Sequence, residues 1–251
     1  MIDLHCHFLP GIDDGPATLV EALDLARVAV ADGIQLSVLT AHVHPERWSN
    51  CRPSLEVAIA LYAAALAEAG IPLQLRLGAE VRLIPELIEM IADDMAPFIG
   101  ELDGFRVLLL EFPHSMIPFG ADKLATALLR LKVRPLIAHP ERNKMIMRRP
   151  DRIRPFIDLG CWLQLTSGSL TGRFGAAAET AAWQLLDTGA TCVLATDAHN
   201  LPHRPPLLKE GHAAVSRRLG VERADFMVRR LPARIVGIDD PAENIDDTLA
   251  A

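Results

Sequence analysis

The chain has 251 residues, a formal net charge of −7, and 50% hydrophobic and 23% charged residues. This acidic balance argues against nonspecific nucleic-acid binding, which needs basic surface to neutralise phosphates, so we predict no nucleic-acid partner. No apolar run approaches the ~18 residues of a membrane span, and the four cysteines form no Cys-x-x-Cys pair. The N-terminus also lacks a basic region before an apolar one, and we predict a cytoplasmic protein without membrane insertion.

The first predicted element is a strand over residues 2–5. Alternation along a strand places His5 and His7 on one face and Cys6 on the other. Two imidazoles so placed can reach one metal ion. A hydrogen-bonded pair of histidines at a strand end is the alternative at this point.

The helix that follows carries signals at both of its ends. Thr18 and Glu21 form a capping-box pattern, and Gly33 stands where a helix-ending C′ residue is expected. The same order of strand and then helix continues along the chain. Further strands are predicted at 35–40, 73–78, 106–112, 135–139, 162–166 and 191–196. Further helices are predicted at 54–70, 86–91, 121–131, 151–159, 176–187 and 206–218.

The seven predicted strands are mostly continuous apolar runs, which are typical of strands buried on both faces of a parallel sheet. We therefore predict an α/β fold built as a single seven-stranded barrel of TIM type. A doubly wound open sheet is the alternative. The barrel is expected to occupy residues 1–238 as one domain, and residues 239–251 to form an acidic C-terminal tail.

Residues with metal-binding side chains follow six of the seven predicted strands. They are His5, His7, His42, Glu80, Glu111, His139, Asp197 and His199. In a barrel all these strand ends meet on one face, where catalytic sites are found, so the sequence predicts a metal site at this rim. Only the sixth strand, which ends near Thr166 and Ser167, brings no obvious ligand.

Other polar and aromatic residues are predicted to lie outside the set of ligands. Asp13 is expected to be a turn residue beside Asp14, which is the more useful acid for the site. The remaining histidines are interpreted as surface or supporting residues: His44, His114, His203 and His212. The three tryptophans are interpreted as core or rim packing: Trp48, Trp162 and Trp183.

The order of these motifs resembles the PHP (polymerase and histidinol phosphatase) superfamily. The motifs are His-x-His near the N-terminus, then DDG, TAH, GAE, EF, IAHPER and TDAHN. The blocks GIDDGP, GAEVRLIPEL, IAHPERN, SGSLTGRFG and ATDAHNLPHRPP are similar to the bacterial manganese-dependent protein-tyrosine phosphatases of the capsule and exopolysaccharide type. The resemblance implies a distorted seven-stranded (β/α)7 TIM-like barrel of PHP type that carries three divalent metal ions.

The resemblance also implies how the ligands divide among the three ions. The first ion would be held by His5, His7, Glu80 and Asp197. The second would be held by Glu80, Glu111 and His139, and the third by Asp14, His42 and His199. Mixed histidine and carboxylate ligation suits Mn²⁺, Fe²⁺ or Zn²⁺, and the resemblance favours Mn²⁺.

Four residues are expected to act on the substrate. Arg142 and Arg204 match family arginines near the substrate phosphate, where they would form forked hydrogen bonds to its oxygens. We expect a hydroxide that bridges two ions to attack phosphorus in line, and Asp197, His199 or a metal-bound water to protonate the leaving group. The alternative roles are helix-entry capping for Arg142 and a loop salt bridge for Arg204.

The cysteines are not expected to act as nucleophiles. The phosphate loop of a cysteine-dependent phosphatase needs an arginine at a set position after the nucleophile. The residues at that position here are Ile12, Val57, Ser167 and Ala198. A phosphocysteine intermediate is therefore not predicted.

The resemblance implies a phosphotyrosine protein as substrate, in particular a bacterial tyrosine autokinase with a tyrosine-rich tail. The alternatives are a small-molecule phosphoesterase, such as a histidinol phosphatase, and a noncatalytic regulatory module that keeps the metal site. The segment after His42, VHPERWSNCRPS, departs from the relatives, and with SGSLTG it is expected to line the substrate groove. The sequence predicts no oligomeric state.

Overall fold

The elements of the fold alternate between strands and helices, and the computed structural model describes residues 1–238. Its strands are β1 (Ile2–Cys6), β2 (Leu36–Leu39), β3 (His42–Val43), β4 (Gln74–Leu77), β5 (Glu80–Arg82), β6 (Gly100–Leu102), β7 (Phe105–Glu111), β8 (Val133–Ala138), β9 (Trp162–Thr166) and β10 (Cys192–Ala195). Its helices are α1 (Leu19–Ala31), α2 (Arg52–Glu68), α3 (Leu87–Ala92), α4 (Ala121–Arg130), α5 (Lys144–Arg148), α6 (Arg154–Leu159), α7 (Ala176–Asp187), α8 (Lys209–Leu219), α9 (Val221–Asp225) and α10 (Leu231–Val236). The predicted acidic tail, 239–251, lies outside the described residues.

The strands form a distorted barrel with seven parallel positions, as predicted. β2 continues into β3 and β4 into β5, so each pair occupies one position of the barrel. Parallel pairing runs β1–β2–β4 in one sheet and β3–β5–β7–β8–β9–β10 in the other. β10 returns to β1 through a bridge between Cys6 and Ala198, beside a 2.8 Å hydrogen bond from the Asp197 amide to the His5 carbonyl. This consecutive order excludes the doubly wound open sheet.

Apolar side chains form one layer inside the barrel and another between the barrel and its helices. The inner cluster includes Leu4, Val38, Leu109 and Val193, together with Ile235 from α10. The outer cluster joins the opposite faces of the strands to the helices. α10 therefore closes one end of the barrel interior, and the carboxyl ends of the strands remain available at the other end.

A change of face within β1 carries its histidines toward the barrel interior. Leu4 packs in the inner cluster, whereas Cys6, two residues later, packs in the outer one. The pairing with β2 shifts register between Asp3 and Cys6, as in a β-bulge, which often re-aims side chains near functional sites. The shift places His5 and His7 at the carboxyl end of the barrel, on the inner side.

The break between β4 and β5 lies where two strands approach closely. A Cβ atom at Gly78 would lie 2.6 Å from Val38 Cγ1, so only glycine allows this approach. The chain resumes as a strand at Glu80, which enters the rim directly after the break.

The boundaries of several helices follow from identifiable caps. The capping box of α1 is confirmed: the Glu21 amide donates to Thr18 Oγ1 at 3.3 Å, and the Thr18 amide donates to Glu21 Oε2 at 3.0 Å. α8 begins later than predicted, because Asp32 Oδ2 accepts from the amides of Leu208 and Lys209 and so sets its first turn. The predicted helix at 151–159 is a 3-10 turn followed by α6.

Six short elements were not predicted, namely β3, β5, the antiparallel strand β6, α5, α9 and α10. Each is too short to show a clear hydrophobic period, so its conformation depends on tertiary packing.

Within residues 1–238, no helix combines the length and the apolar composition that crossing a membrane requires.

Candidate metal centre

The strand ends gather the predicted ligands on one rim. Three groups of side chains have ligand atoms that all lie within 4.8 Å of one another. They are His5, His7, Glu80 and Asp197; His7, Asp14, His42 and His199; and His42, Glu80 and Glu111. The remaining predicted ligand, His139, places Nε2 2.8 Å from Glu80 Oε1. The structure therefore brings all nine predicted ligands into one continuous cluster.

The groups overlap with the division that the family resemblance implies, with two differences. The first group is the same. His7 joins the three residues predicted for the third ion, and His42 stands in the second group where His139 was expected. Both differences arise because His7 and Glu80 lie at the centre of the cluster, within reach of more than one group.

Gln164 sets the orientation of His5. The backbone amide of His139 donates to Gln164 Oε1 at 3.0 Å, which identifies this atom as the carbonyl oxygen. His5 Nδ1 lies 2.8 Å from the same oxygen, so it must carry a proton and donate. The lone pair of a neutral His5 is then on Nε2, which faces Glu80 and Asp197 at 3.2 and 3.3 Å.

Two further histidines are anchored in the same way. His7 Nδ1 lies 2.8 Å from Asp13 Oδ2, and His199 Nδ1 lies 3.0 Å from the carbonyl oxygen of Asp197. An acceptor on Nδ1 fixes the ring and leaves Nε2 to bind a metal, which is the usual arrangement of histidine ligands. When these imidazoles are neutral, their Nε2 lone pairs point into the cluster.

Buried atoms without hydrogen-bond partners point to the same conclusion. Within residues 1–238, Glu80 Oε2, Asp197 Oδ1 and His199 Nε2 are buried and have no hydrogen-bond partner. Leaving such atoms without a partner costs free energy. A divalent cation satisfies carboxylate oxygens and imidazole nitrogens at once, so the donor set fits a metal centre.

The electrostatics of the cluster also favour cation binding. Burial alone would raise the pKa of Glu80, but the imidazoles of His5, His42 and His139 hold it well below its ordinary value. Burial lowers the pKa of His7, but Asp13 and Glu80 outweigh this effect and raise it to about 10. A cation bound at His7 Nε2 would displace that proton, so metal affinity would increase with pH.

The two arginines predicted to bind phosphate both contact Asp197. Arg142 Nη1 and Arg204 Nη2 donate to Asp197 Oδ2. Burial opposes ionisation of Asp197, but the two guanidinium groups hold its pKa well below the ordinary value. Burial and the nearby His7 lower the pKa of His199 to about 4. Asp197 and His199 are thus held as a carboxylate and a neutral imidazole, the forms in which these side chains bind a metal ion.

The backbone is constrained where two of the ligands leave their strands. His139 and Asp197 follow β8 and β10 and have φ values of 29° and 51°, in the left-handed region that side chains disfavour. Strained conformations of this kind persist at functional sites when the surrounding contacts enforce them. The strain turns both side chains toward the cluster.

The structure adds supporting residues that sequence reasoning missed. The sixth strand position, expected to bring no ligand, contributes Gln164, and Asp13 supports His7 in addition to forming a turn with Gly15. A polar cavity of about 160 Å³ opens above the rim, and His44 and His114 line it. The strand period was the available signal for Gln164, because it lies two residues before Thr166 at the strand end.

Replacing Gln164 by Leu is expected to lower metal affinity and kcat/KM by about 10- to 100-fold, the usual effect of losing a residue that supports a ligand. The physical reason is that His5 loses the acceptor that fixes its ring. Titration of metal-free protein with Mn²⁺ measures the affinity directly. A Gln164→Glu control retains an acceptor and should bind Mn²⁺ more tightly than Gln164→Leu. Equal Mn²⁺ affinities for the wild type and both variants would contradict the supporting role of Gln164.

The barrel and its rim of imidazoles and carboxylates define a TIM-like barrel protein with a candidate metal centre. The family model for capsular polysaccharide synthesis, CpsB/CapC, matches residues 1–248. The chain belongs to the CpsB/CapC family.

Individual relatives agree with this assignment. CapC from Staphylococcus aureus is 32% identical over 210 residues, covering 84% of this chain and 81% of the relative. YwqE from Bacillus subtilis, a tyrosine-protein phosphatase, is 31% identical over 222 residues, covering 88% and 86%. A crystal structure from a study of YwqE and of CpsB from Streptococcus pneumoniae, described as metal-dependent tyrosine phosphatases, matches with a TM-score of 0.84 at 29% identity, covering 96% and 97%.

Proposed function

We propose that this protein is a metal-dependent phosphatase that removes phosphate from phosphotyrosine in proteins, with residues 1–238 as its catalytic domain. The observation that carries the proposal is the composition of the rim. Anchored imidazoles and buried carboxylate oxygens without hydrogen-bond partners lie close together there, and two arginines line the polar cavity beside them. The tyrosine phosphatase relatives support the same activity.

The donor set supports divalent cations, and Mn²⁺ is the ion proposed, with Fe²⁺ or Zn²⁺ as alternatives. The three proposed ions follow the three groups of ligands, with His139 bound beside Glu80. When bound, such ions neutralise phosphate charge, lower the pKa of water and stabilise a leaving oxygen. Gln164 and Asp13 hold the rings of His5 and His7 in the required orientation.

Arg142 and Arg204 supply hydrogen-bond donors on the cavity side of the rim. Each guanidinium has five N–H donors, and the contact with Asp197 uses only some of them. Arg204 Nε is buried and has no hydrogen-bond partner within residues 1–238. These free donors support the proposal that both arginines bind oxygens of the substrate phosphate.

The proton chemistry of the site favours phosphotyrosine over an alkyl phosphate. Asp197 is held as a carboxylate and His199 as a neutral imidazole, so neither is a ready acid at neutral pH. A tyrosine phenolate has a conjugate acid with a pKa of about 10 and leaves with less proton donation than an alkoxide. An aryl ester is therefore the substrate that depends least on Asp197 and His199 as proton donors.

The substrate proposed in the cell is a bacterial tyrosine autokinase. The family description links its members to capsular polysaccharide synthesis, and the autokinase itself is inferred from the resemblance of the motifs. We place the protein in the cytoplasm, in keeping with four free cysteines, of which Cys6, Cys161 and Cys192 are buried.

An assay of four substrates tests the proposal: a phosphotyrosine peptide, a matched phosphoserine peptide, histidinol phosphate and p-nitrophenyl phosphate. We expect the two aryl esters to be hydrolysed, no activity after chelation, and recovery on addition of Mn²⁺. Faster turnover of histidinol phosphate than of phosphotyrosine would instead support the small-molecule phosphoesterase. A metal-loaded protein inert toward all four esters would support the noncatalytic module.

Alkylation of the thiols is expected to leave phosphatase activity unchanged. Burial raises the pKa of Cys161 and of Cys192 to about 12, and that of Cys6 well above its ordinary value, so none of the three is a reactive thiolate. Activity is measured before and after iodoacetamide treatment, with mass spectrometry to locate the adducts. A Cys51→Ser variant is the control for the partly exposed thiol. Loss of activity in that variant after treatment, with metal content intact, would contradict a mechanism without cysteine.

A further inference from the structure

The loop between β3 and α2 forms one wall of the cavity above the rim. Trp48 stacks on His42, with ring centroids 4.6 Å apart and planes inclined by 7°. The guanidinium of Arg47 lies 4.2 Å from the centre of the Trp48 ring, within the range of a cation–π contact. The indole therefore links a proposed metal ligand to an exposed cation at the mouth of the cavity.

Hydrogen bonds hold this loop in place. The amide of His44 donates to the Trp48 carbonyl at 3.1 Å, and the amide of Trp48 donates back to the His44 carbonyl at 2.7 Å. Asn50 Nδ2 donates to the carbonyls of His42 and Ile12 at 2.9 and 3.0 Å. The position of the wall is thus set by the backbone on both sides of Trp48.

Arg47 differs from the other arginines that line the cavity. Arg82 forms an ion pair with Glu111 at 2.8 Å, and Arg142 and Arg204 are both paired with Asp197. Within residues 1–238, Arg47 has no carboxylate partner. It is therefore the one cavity arginine in the described chain whose full charge is available to an incoming anion.

The size of the cavity determines which part of a protein substrate can lie next to Arg47. A volume of about 160 Å³ is smaller than the pockets that enclose drug-sized ligands, which are about 300–1,000 Å³. It admits a phosphorylated side chain, while the peptide that carries this side chain must cross the mouth. Consecutive Cα atoms are about 3.8 Å apart, so residues next to the phosphotyrosine lie within reach of a cation on the cavity wall.

We propose that Arg47, supported by Trp48, binds a carboxylate of an aspartate or glutamate next to the phosphotyrosine in the protein substrate. This inference rests on the proposed phosphotyrosine phosphatase activity and adds a preference for acidic neighbours.

Paired phosphopeptides test the proposal. A neutral phosphotyrosine peptide and variants with one Glu, scanned through the two positions on either side, are each compared with the Gln variant at the same position. Wild-type protein loaded with Mn²⁺ should hydrolyse the best Glu peptide about fivefold faster in kcat/KM than its Gln partner, the advantage expected of an exposed ion pair. Arg47→Gln should reduce this ratio to about one, and Arg47→Lys should retain part of it.

Arg130→Gln is the matched control, because this exposed arginine lies in the last turn of α4, outside the cavity. Its Glu-to-Gln ratio should equal that of the wild type. A wild-type ratio near one, or a ratio that persists in Arg47→Gln, overturns the proposal. If Arg47→Gln lowers turnover of every peptide equally and keeps the ratio, Arg47 contacts the phosphate itself, which also overturns it. Wild-type protein that hydrolyses none of the peptides overturns the phosphatase function instead, and this inference with it.

Discussion

Replacing Glu80 by Gln is expected to lower kcat/KM by about a thousandfold and to reduce the bound metal, because metal ions contribute several kcal/mol of transition-state stabilisation and each 1.36 kcal/mol is a factor of ten. Glu80 Oε1 lies 2.8 Å from His139 Nε2, and Oε2 lies 3.2 to 3.3 Å from nitrogens of His5, His7 and His42. Glutamine has the same shape, but it lacks the charge and presents an amide NH₂ to one side of this cluster. The substitution therefore tests charge and donor identity with little change in packing.

Glu141→Gln is the matched control for this experiment. Glu141 is also fully buried near the rim, but its Oε1 accepts hydrogen bonds from the Thr166 amide at 2.9 Å and from Ser169 Oγ at 2.7 Å. A glutamine carbonyl can accept both bonds. Metal analysis and kinetics should show full metal content and activity of the same order of magnitude as the wild type. Full metal content and activity in Glu80→Gln as well would remove Glu80 from the set of ligands.

The residues that cluster at the rim could be predicted from the sequence because two regular features act together. Parallel barrel strands all end on one face, and each strand that ends in His, Asp or Glu delivers that side chain to the same rim. The common direction of the strands brings His139 and Asp197 to one rim although they are far apart in the chain. The seven barrel positions followed from the apolar strands in the same way.

The position of Gln164 on its strand could be predicted, but the supporting roles of Gln164 and Asp13 could not, because these roles depend on how the folded chain places each residue beside its histidine. Gln164 is an uncharged residue within an apolar strand, and it acts only through His5, which lies 159 positions away. Asp13 belongs to a DDG sequence that reads as a turn, and its second carboxylate oxygen reaches His7 only after β1 has shifted register. The contacts of both arginines with Asp197 likewise depend on how the loops after β8 and β10 fold over the rim.

Replacing either Arg142 or Arg204 by Ala is expected to lower kcat/KM by about a hundred- to a thousandfold, the effect of removing one donor that stabilises transition-state charge. Lysine should restore little, because a compact ammonium cannot reproduce the fork of a guanidinium. Inhibition by inorganic phosphate should weaken in both variants. Metal content should remain, since His5, His7 and Glu80 are still in place around Asp197.

A variant in which both Arg142 and Arg204 are replaced by Ala distinguishes two roles of these arginines: binding the substrate phosphate and holding Asp197 in place. Both guanidinium groups contact the same oxygen, Asp197 Oδ2, and residues that share a partner have non-additive effects. The combined loss of Arg142 and Arg204 should therefore differ from the product of the two single losses, and it should be accompanied by lower metal content, because Asp197 then has neither partner. Arg173→Ala, which removes an ion pair with Glu210 instead, should change neither quantity. Purely multiplicative losses with full metal content would mean that each arginine acts on the phosphate alone.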